Sequence, residues 1–428
     1  LREGESPLDT MVYFCEAYLR RAINTIHILP FFPYSSDRGF SVMDFEQVNP
    51  KLGTWDDIDN LKEDFRLMFD GVFNHVSQHS PWLQEAATDA SSPKRAWFEL
   101  DPDRYEHGFR CWAGVKNLPE LQLESESLRD ALFRRPDSVV RSYLRDADID
   151  GWRLDVAWEL GTSVLRELVS HAHAEKPESV VLGEIWSPPA SPTGSWVPPL
   201  DGLLSLTLRE LVLHWVEGRL PGPYAARVVQ RMVEDAGIEA LLRSHVIIEN
   251  HDTPRIRGLL GRAETQAFQL LAAGLPGNLS MLYGMEVGLD GCDDPEMRPP
   301  MPWEEAHDDN PVFVWTERLL ALRREHRALR VGDFQALDTR ELFGFQRATD
   351  RYAETVWVFA NATSEPVTET VYLRDAKLMN SRLVDLVGGD GFEAHAGFVR
   401  VKVPSMSVRL LSHPDHGGWQ YNPYKRID

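Results

Sequence analysis

Short apolar runs that stop at polar residues, each followed by a longer amphipathic stretch, constrain this chain more than any other feature. Seven such runs occur: Asn24–Pro30, Leu67–Phe73, Gly151–Asp155, Val180–Glu184, Leu203–Thr207, His245–Asn250 and Leu279–Tyr283. They are rich in Val, Ile and Leu without strict alternation, which suits strands buried on both faces of a parallel sheet. Amphipathic stretches such as Leu128–Arg145 and Ser163–Ala174 lie between them and predict helices. The alternation of strand and helix argues for an α/β fold. A closed barrel of this kind needs eight strands. The eighth would precede a helical Met11–Arg21, where only Leu1–Thr10 stands, so a trimmed or unusual first strand is expected.

The pattern changes after Trp303. Pro311–His326 reads as one more helix, and from about Asp333 an alternating pattern takes over in ETVWVFANAT, TETVYL and SVRLLS. Turn residues such as Gly388-Gly389-Asp390-Gly391 separate them. The expected architecture is a TIM-type (β/α)8 barrel over residues 1–330, with 76–120 as a short inserted domain after strand 3. An antiparallel β-domain over 331–415 and a polar tail, 416–428, complete it.

The chain has 428 residues, of which 66 are acidic and 45 basic, for a formal charge of −21. That field disfavours nucleic-acid backbones as partners. No apolar run approaches the ~18 residues needed to cross a bilayer. Cys15, Cys111 and Cys292 lie far apart and suggest neither a disulfide framework nor a metal site. Reduced thiols and a cytoplasmic setting are the simplest expectation. No D-x-D-x-D-G calcium loop, phosphate cradle, Ser-His-Asp elbow or H-E-x-x-H zinc motif is present. No cofactor is therefore expected, and a structural calcium has no motif to support it.

Three carboxylates sit where apolar runs stop: Asp155, Glu184 and Asp252. In a parallel barrel the C-terminal strand ends form the floor of the active site. Clustered acids there split their pKa values, leaving one ionised and one protonated. Glycoside hydrolysis with retention requires such a pair, ~5 Å apart. Arg153 lies two residues before Asp155, on the same face of an extended strand, where it can hold the aspartate ionised. His75 and His251 stand at two further strand ends as candidate donors to sugar hydroxyls, whereas His27 reads as a core histidine. Taken singly, a strand-end acid is an ordinary helix cap or loop residue. The joint placement on separate strand ends is what points to chemistry.

DGVFNH (Asp70–His75), GWRLDVA (Gly151–Ala157), GEIW (Gly183–Trp186) and NHD (Asn250–Asp252) resemble the four conserved regions of the α-amylase superfamily, glycoside hydrolase family 13. The resemblance covers about Met11–Trp303, and the β-unit stands where that family carries its C-terminal domain. It implies Asp155 as the nucleophile, Glu184 as the acid and base, and Asp252 as a binder of sugar hydroxyls. His75, Arg153 and His251 would line the same subsite, with Asp70 a structural partner of neighbouring loops.

The front, His27–Asp57, resembles sucrose and glucosylglycerate phosphorylases; there Asp37 would cap the sugar and Phe40 would stack on it. Cys111–Ser125, His251–Arg255 and Asp293–Trp303 look like hydrolases of the neopullulanase and α-glucosidase type, in which Arg298 would reach the first subsite. An Asp37–Arg298 pair would close the site behind one glucose unit and imply exo action. A phosphorylase would need an anion site; Arg255 and Arg257 could supply one, or else cap a loop or pair with an acid. The expectation is a retaining α-glucoside hydrolase or transglucosidase acting on a small carbohydrate, sucrose-like or malto-type. A phosphorylase releasing glucose 1-phosphate and a non-catalytic binding barrel are the alternatives. Trp82, Trp112, Trp158, Trp186 and Trp196 are candidates for sugar stacking or for packing. The oligomeric state is not legible.

Overall fold

The computed structural model describes residues 4–186, 195–373 and 381–414. It forms two compact units, one of Leu1–Pro192 and Trp196–Leu203, the other of Thr193–Ser195 and Leu204–Asp428.

All seven predicted runs are parallel strands: β1 (Thr25–Ile28), β2 (Arg66–Gly71), β3 (Gly151–Leu154), β4 (Val180–Gly183), β5 (Gly202–Ser205), β6 (His245–Ile247) and β7 (Asn278–Ser280). Chain order is also strand order. The first unit pairs β1 with β2, β2 with β3, β3 with β4, and β4 with the start of β5. In the second unit the end of β5 pairs with β6, and β6 with β7. The eighth strand expected before Met11 has no counterpart among the described residues.

Register sorts the side chains of β2 and β3 onto two faces. Phe69 lies opposite Trp152, and Asp70 opposite Arg153. The aromatic pair packs with Phe31 and Tyr143 at ring separations of 4.8–6.1 Å. Asp70 and Arg153 consequently emerge together on the other face, because successive strand residues alternate sides. The helix Thr162–Glu175 buries Val164, Leu165, Leu168, Val169 and Ala172, the stripe of a helix lying on a sheet.

Two helix expectations shift. The helix expected over Met11–Arg21 is Pro7–Phe14, continued by a wider turn over Cys15–Leu19. Ser6 and Asp9 form a reciprocal capping box around Pro7, which starts the helix earlier. The stretch Leu128–Arg145 is interrupted: winding ends at Arg134 and resumes at Val139. Pro136 accounts for the break, since it lacks an N–H and disfavours helical geometry before it.

The segment after β2 carries the helix Pro81–Thr88 and folds back on itself through isolated bridges. These join His75 to Glu120, Phe98 to Leu121, Leu100 to Phe109 and Cys111 to Pro119.

From Asp333 the chain is antiparallel. Among the described residues this sheet has eight strands: β8 (Asp333–Ala336), β9 (Phe343–Ala348), β10 (Val356–Asn361), β11 (Val367–Tyr372), β12 (Ser381–Asp385), β13 (Gly391–His395), β14 (Phe398–Val403) and β15 (Ser407–Ser412). Strand β10 is buried at every position because both its faces are covered. Val356, Val358 and Ala360 join the core that includes Leu211, Val212 and Phe268, while Trp357 and Phe359 join Leu383, Val399 and Val401. The tail 416–428 lies outside the described residues. No described helix is long and apolar enough to cross a membrane.

The C-terminus of the helix Arg262–Gly274 is capped by two buried guanidiniums. Arg323 donates to the Ala273 carbonyl at 2.6 Å and the Leu275 carbonyl at 3.3 Å. Arg347, on β9, donates to the carbonyls of Gly274 at 2.9 Å and Gly332 at 2.8 Å. Burial, with the neighbouring Arg323, pulls the Arg347 guanidinium down to about 9. Arg347→Met should therefore orphan several buried carbonyls and lower the unfolding free energy by about 3 kcal/mol. A urea midpoint equal to that of the wild type would contradict this role.

Candidate active site

Arg153 is wholly buried and gathers three carboxylates in the first unit. Its Nη1 donates to Asp70 Oδ1 at 2.8 Å and to Asp155 Oδ1 at 2.7 Å, and its Nη2 lies 2.8 Å from Glu184 Oε1. Asp155 and Glu184 are thus held by the two amino nitrogens of one guanidinium. Asp155 and Glu184 follow directly on β3 and β4, and Leu154 pairs with Gly183 in the register, so the two acids leave neighbouring strands at the same level.

The backbone after Asp155 is bent to serve the same pair. Val156 is left-handed at φ 47°, an unfavourable conformation for a β-branched residue that costs about 1–2 kcal/mol. The bend aims the Val156 N–H at Glu184 Oε2, 3.1 Å away, and the Ala157 N–H at the Glu184 carbonyl, 3.1 Å away. Close packing demands a glycine just before Glu184. A Cβ on Gly183 would lie 2.3 Å from Leu200 Cδ1 and 3.2 Å from Ala157 Cβ.

Burial pushes the Asp155 carboxyl well above the ordinary range; Arg153 draws it down, whereas Glu184 and Asp70 add to the rise. For Arg153, burial opposes the charge, but Asp70, Glu184 and Asp155 more than compensate and hold it above its usual value. His75 is buried and lowered to about 4 by that burial, against the pull of the Phe40 carbonyl, so it is neutral at ordinary pH. Its ring stacks on Trp112 at 5.1 Å and 19°. Phe40 is also buried, with the Arg153 guanidinium 5.9 Å from its ring. Asp37 is exposed in a tight left-handed turn, φ 54°, and its carbonyl accepts the Phe40 N–H.

The second unit holds the remaining expected residues. Asp252 lies 3.0 Å from His251 Nε2 and accepts from Arg298 Nη2 at 3.4 Å; Arg298 also lies 3.7 Å from Asp294. Arg255, one of the two candidate anion binders, is wholly buried and committed. It donates to Glu249 at 3.0 Å and to the carbonyls of Tyr283 and Met297, both at 2.8 Å. It therefore pairs with an acid and pins two loops.

Asp70 is a buried partner of Arg153 and His27. His27 is half-buried, with Nε2 3.1 Å from Asp70 Oδ2, and is not an inert core residue. The strand register sets Asp70 beside Arg153. The tryptophans divide. Trp82, Trp158 and Trp196 pack against the core, whereas Trp112 donates to Glu159 and Trp186 to Glu184, each at 2.8 Å.

Beside His75 opens a cavity of about 450 Å³, lined by Asn74, Arg110, Cys111, Trp112, Glu120 and Glu159 among others. Arg110 lies 2.9 Å from Glu120, whose carboxyl is raised by burial while Arg110 pulls it down. The lining is mostly polar. Among the described residues no group of three or more His, Cys, Asp or Glu is placed to hold a metal ion.

Residues 17–349 match the family described as the alpha amylase catalytic domain. The chain belongs to the α-amylase family. It is 28% identical over 417 residues to a cyclomaltodextrinase of Geobacillus thermopakistaniensis, covering 91% of this chain and 67% of that protein. An intracellular maltogenic amylase of Bacillus subtilis is 26% identical over 348 residues, covering 77% of this chain and 57% of the relative. A glucosylglycerate phosphorylase of Spirochaeta thermophila is 57% identical, but over only 83 residues, 19% of this chain and 14% of that enzyme. The likeness to phosphorylases is thus strong and local. A solved protein of Thermus thermophilus superposes with a TM-score of 0.84 at 25% identity, covering 96% of this chain and 91% of that one. The fold is the α-amylase family's TIM-type barrel with a C-terminal antiparallel β-domain.

The elevated Asp155 carboxyl has a consequence for stability. A group raised in the folded state favours folding below its unfolded pKa, and that contribution is lost as pH rises through the folded value. Asp155→Asn should therefore melt at or above the wild-type temperature at pH 7.5, with the gap closing toward pH 4. Thermal melts at the two pH values check this, and a variant destabilised at pH 7.5 would contradict it.

Proposed function

We propose that the chain is a retaining glycoside hydrolase that cleaves short α-glucosides by double displacement at Asp155. The observation that carries this reading is the single buried guanidinium of Arg153 bridging Asp155 and Glu184. In the first step a carboxylate oxygen of Asp155 attacks the anomeric carbon as the glycosidic C–O bond breaks, and Glu184 gives its proton to the leaving oxygen. In the second step Glu184 takes a proton from water, whose oxygen attacks the anomeric carbon and releases Asp155. A sugar hydroxyl in place of water makes the reaction a transglucosylation.

In this reading His75, Arg153, Phe40 and Asp37 of the first unit bind sugar, and Asp252, His251 and Arg298 of the second are likewise assigned to sugar binding. The names of the cyclomaltodextrinase and maltogenic amylase relatives favour malto-type donors over sucrose. Exo action, through Asp37 and Arg298, belongs to the same proposal. So do the domain limits 1–330 and 331–415 and a cytoplasmic location, the last in keeping with the name of the intracellular relative.

The local identity to a glucosylglycerate phosphorylase favours a second reading, phosphorolysis. The commitment of Arg255 to Glu249 weighs against it, because one of the two cations available for phosphate is already paired.

Maltotriose, cyclomaltodextrin, sucrose and glucosylglycerate, each assayed with and without phosphate, separate the two. Glucose or maltose release independent of phosphate is expected, whereas phosphate-dependent glucose 1-phosphate would overturn hydrolysis. Asp155→Asn and Glu184→Gln should each lose at least ~10³-fold in kcat with a native melt. Because Asp155 must be ionised to attack and its carboxyl is raised, the acid limb of kcat/KM should lie above the usual carboxylate range. A limb at or below pH 4 would contradict the nucleophile assignment.

A further inference from the structure

The carboxylate of Glu184 accepts two hydrogen bonds and lies beside a buried cation. Oε1 accepts the Trp186 indole N–H at 2.8 Å and lies 2.8 Å from Arg153 Nη2, while Oε2 accepts the Val156 N–H at 3.1 Å. Each donor favours the acceptor-only, ionised form. A general acid needs the opposite: one oxygen must carry a proton and turn it toward a leaving oxygen. A hydrogen bond that favours the charged form therefore opposes the acid role until it is released.

The three differ in how readily they yield. Arg153 is wholly buried and bound to two further acids. The Val156 N–H belongs to a backbone turn held by the strand ends. Trp186 is 47% exposed and stands two residues beyond Glu184. The indole is the most exposed of the three groups.

We propose that Trp186 is a positioning residue for Glu184: its N–H parks the carboxylate in the unliganded site, and release of that bond frees Glu184 to donate a proton. The inference rests on the reading of Glu184 as the acid. Among the described residues, Arg153 and Asp155 at the end of β3 and Asp70 on β2 are the charged groups clustered with Glu184, with His27 on β1 bonded to Asp70. All of them remain in a Trp186 variant.

Trp186→Phe removes the N–H and keeps a ring for stacking. Maltotriose has a poor leaving group that needs an acid; α-glucosyl fluoride has a good one that does not. With maltotriose, the variant should retain kcat/KM to higher pH and exceed the wild type roughly three- to tenfold on the alkaline limb, one pH unit of displacement being tenfold. With the fluoride, the two proteins should agree within about twofold at every pH. An unchanged alkaline limb on maltotriose, or an equal change on both donors, would overturn the proposal while leaving the hydrolase reading intact. Failure of the wild type to turn over either donor would overturn the hydrolase reading, and this inference with it.

Discussion

A single buried cation organises the first unit's chemistry. Arg153 has no exposed surface, and a guanidinium in such a place is tolerated only if it is paired and hydrogen-bonded. Asp70, Asp155 and Glu184 meet that need from three successive strand ends. The dependence is mutual: without the cation, three carboxylates would face one another in a poorly solvated space. Removing it costs more than one ion pair, since each acid would lose its counter-charge at once. A lysine keeps the charge but not the fork that reaches two acids from one nitrogen and a third from the other.

Around that cation the backbone accepts local cost. The left-handed Val156 stores strain directly after Asp155, and Gly183 is held without a side chain directly before Glu184. Both features fix the two acids relative to each other more tightly than loops would. The raised Asp155 carboxyl belongs to the same pattern: an environment that suits a nucleophile disfavours its charge at rest. Neutral His75, stacked on Trp112, adds a polar wall without adding charge.

The parallel strands are legible in the sequence because strands buried on both faces have a distinctive run of Val, Ile and Leu. The acids are legible for the same reason, since each stands where such a run stops. Asp70 and His27 are not, because their roles depend on register between strands, which no single run encodes. The antiparallel sheet is readable as alternation at β11, whereas β10 is apolar throughout because two cores cover it. Helix ends are less legible: Pro136 breaks a stretch whose apolar period continues on both sides. Nothing in composition separates Trp186 and Trp112, which bond to acids, from Trp82, which packs in the core.

The most direct test of the central claim is capture of the covalent intermediate. Glu184→Gln, treated with a 2-deoxy-2-fluoro-α-glucosyl or maltosyl fluoride, should accumulate one glycosyl unit per chain. Peptide mass mapping should place it on Asp155, and Asp155→Asn should stay unlabelled. A label on another side chain, or turnover of the fluoride without any label, would contradict the assignment of Asp155 as the nucleophile that Arg153 holds in place.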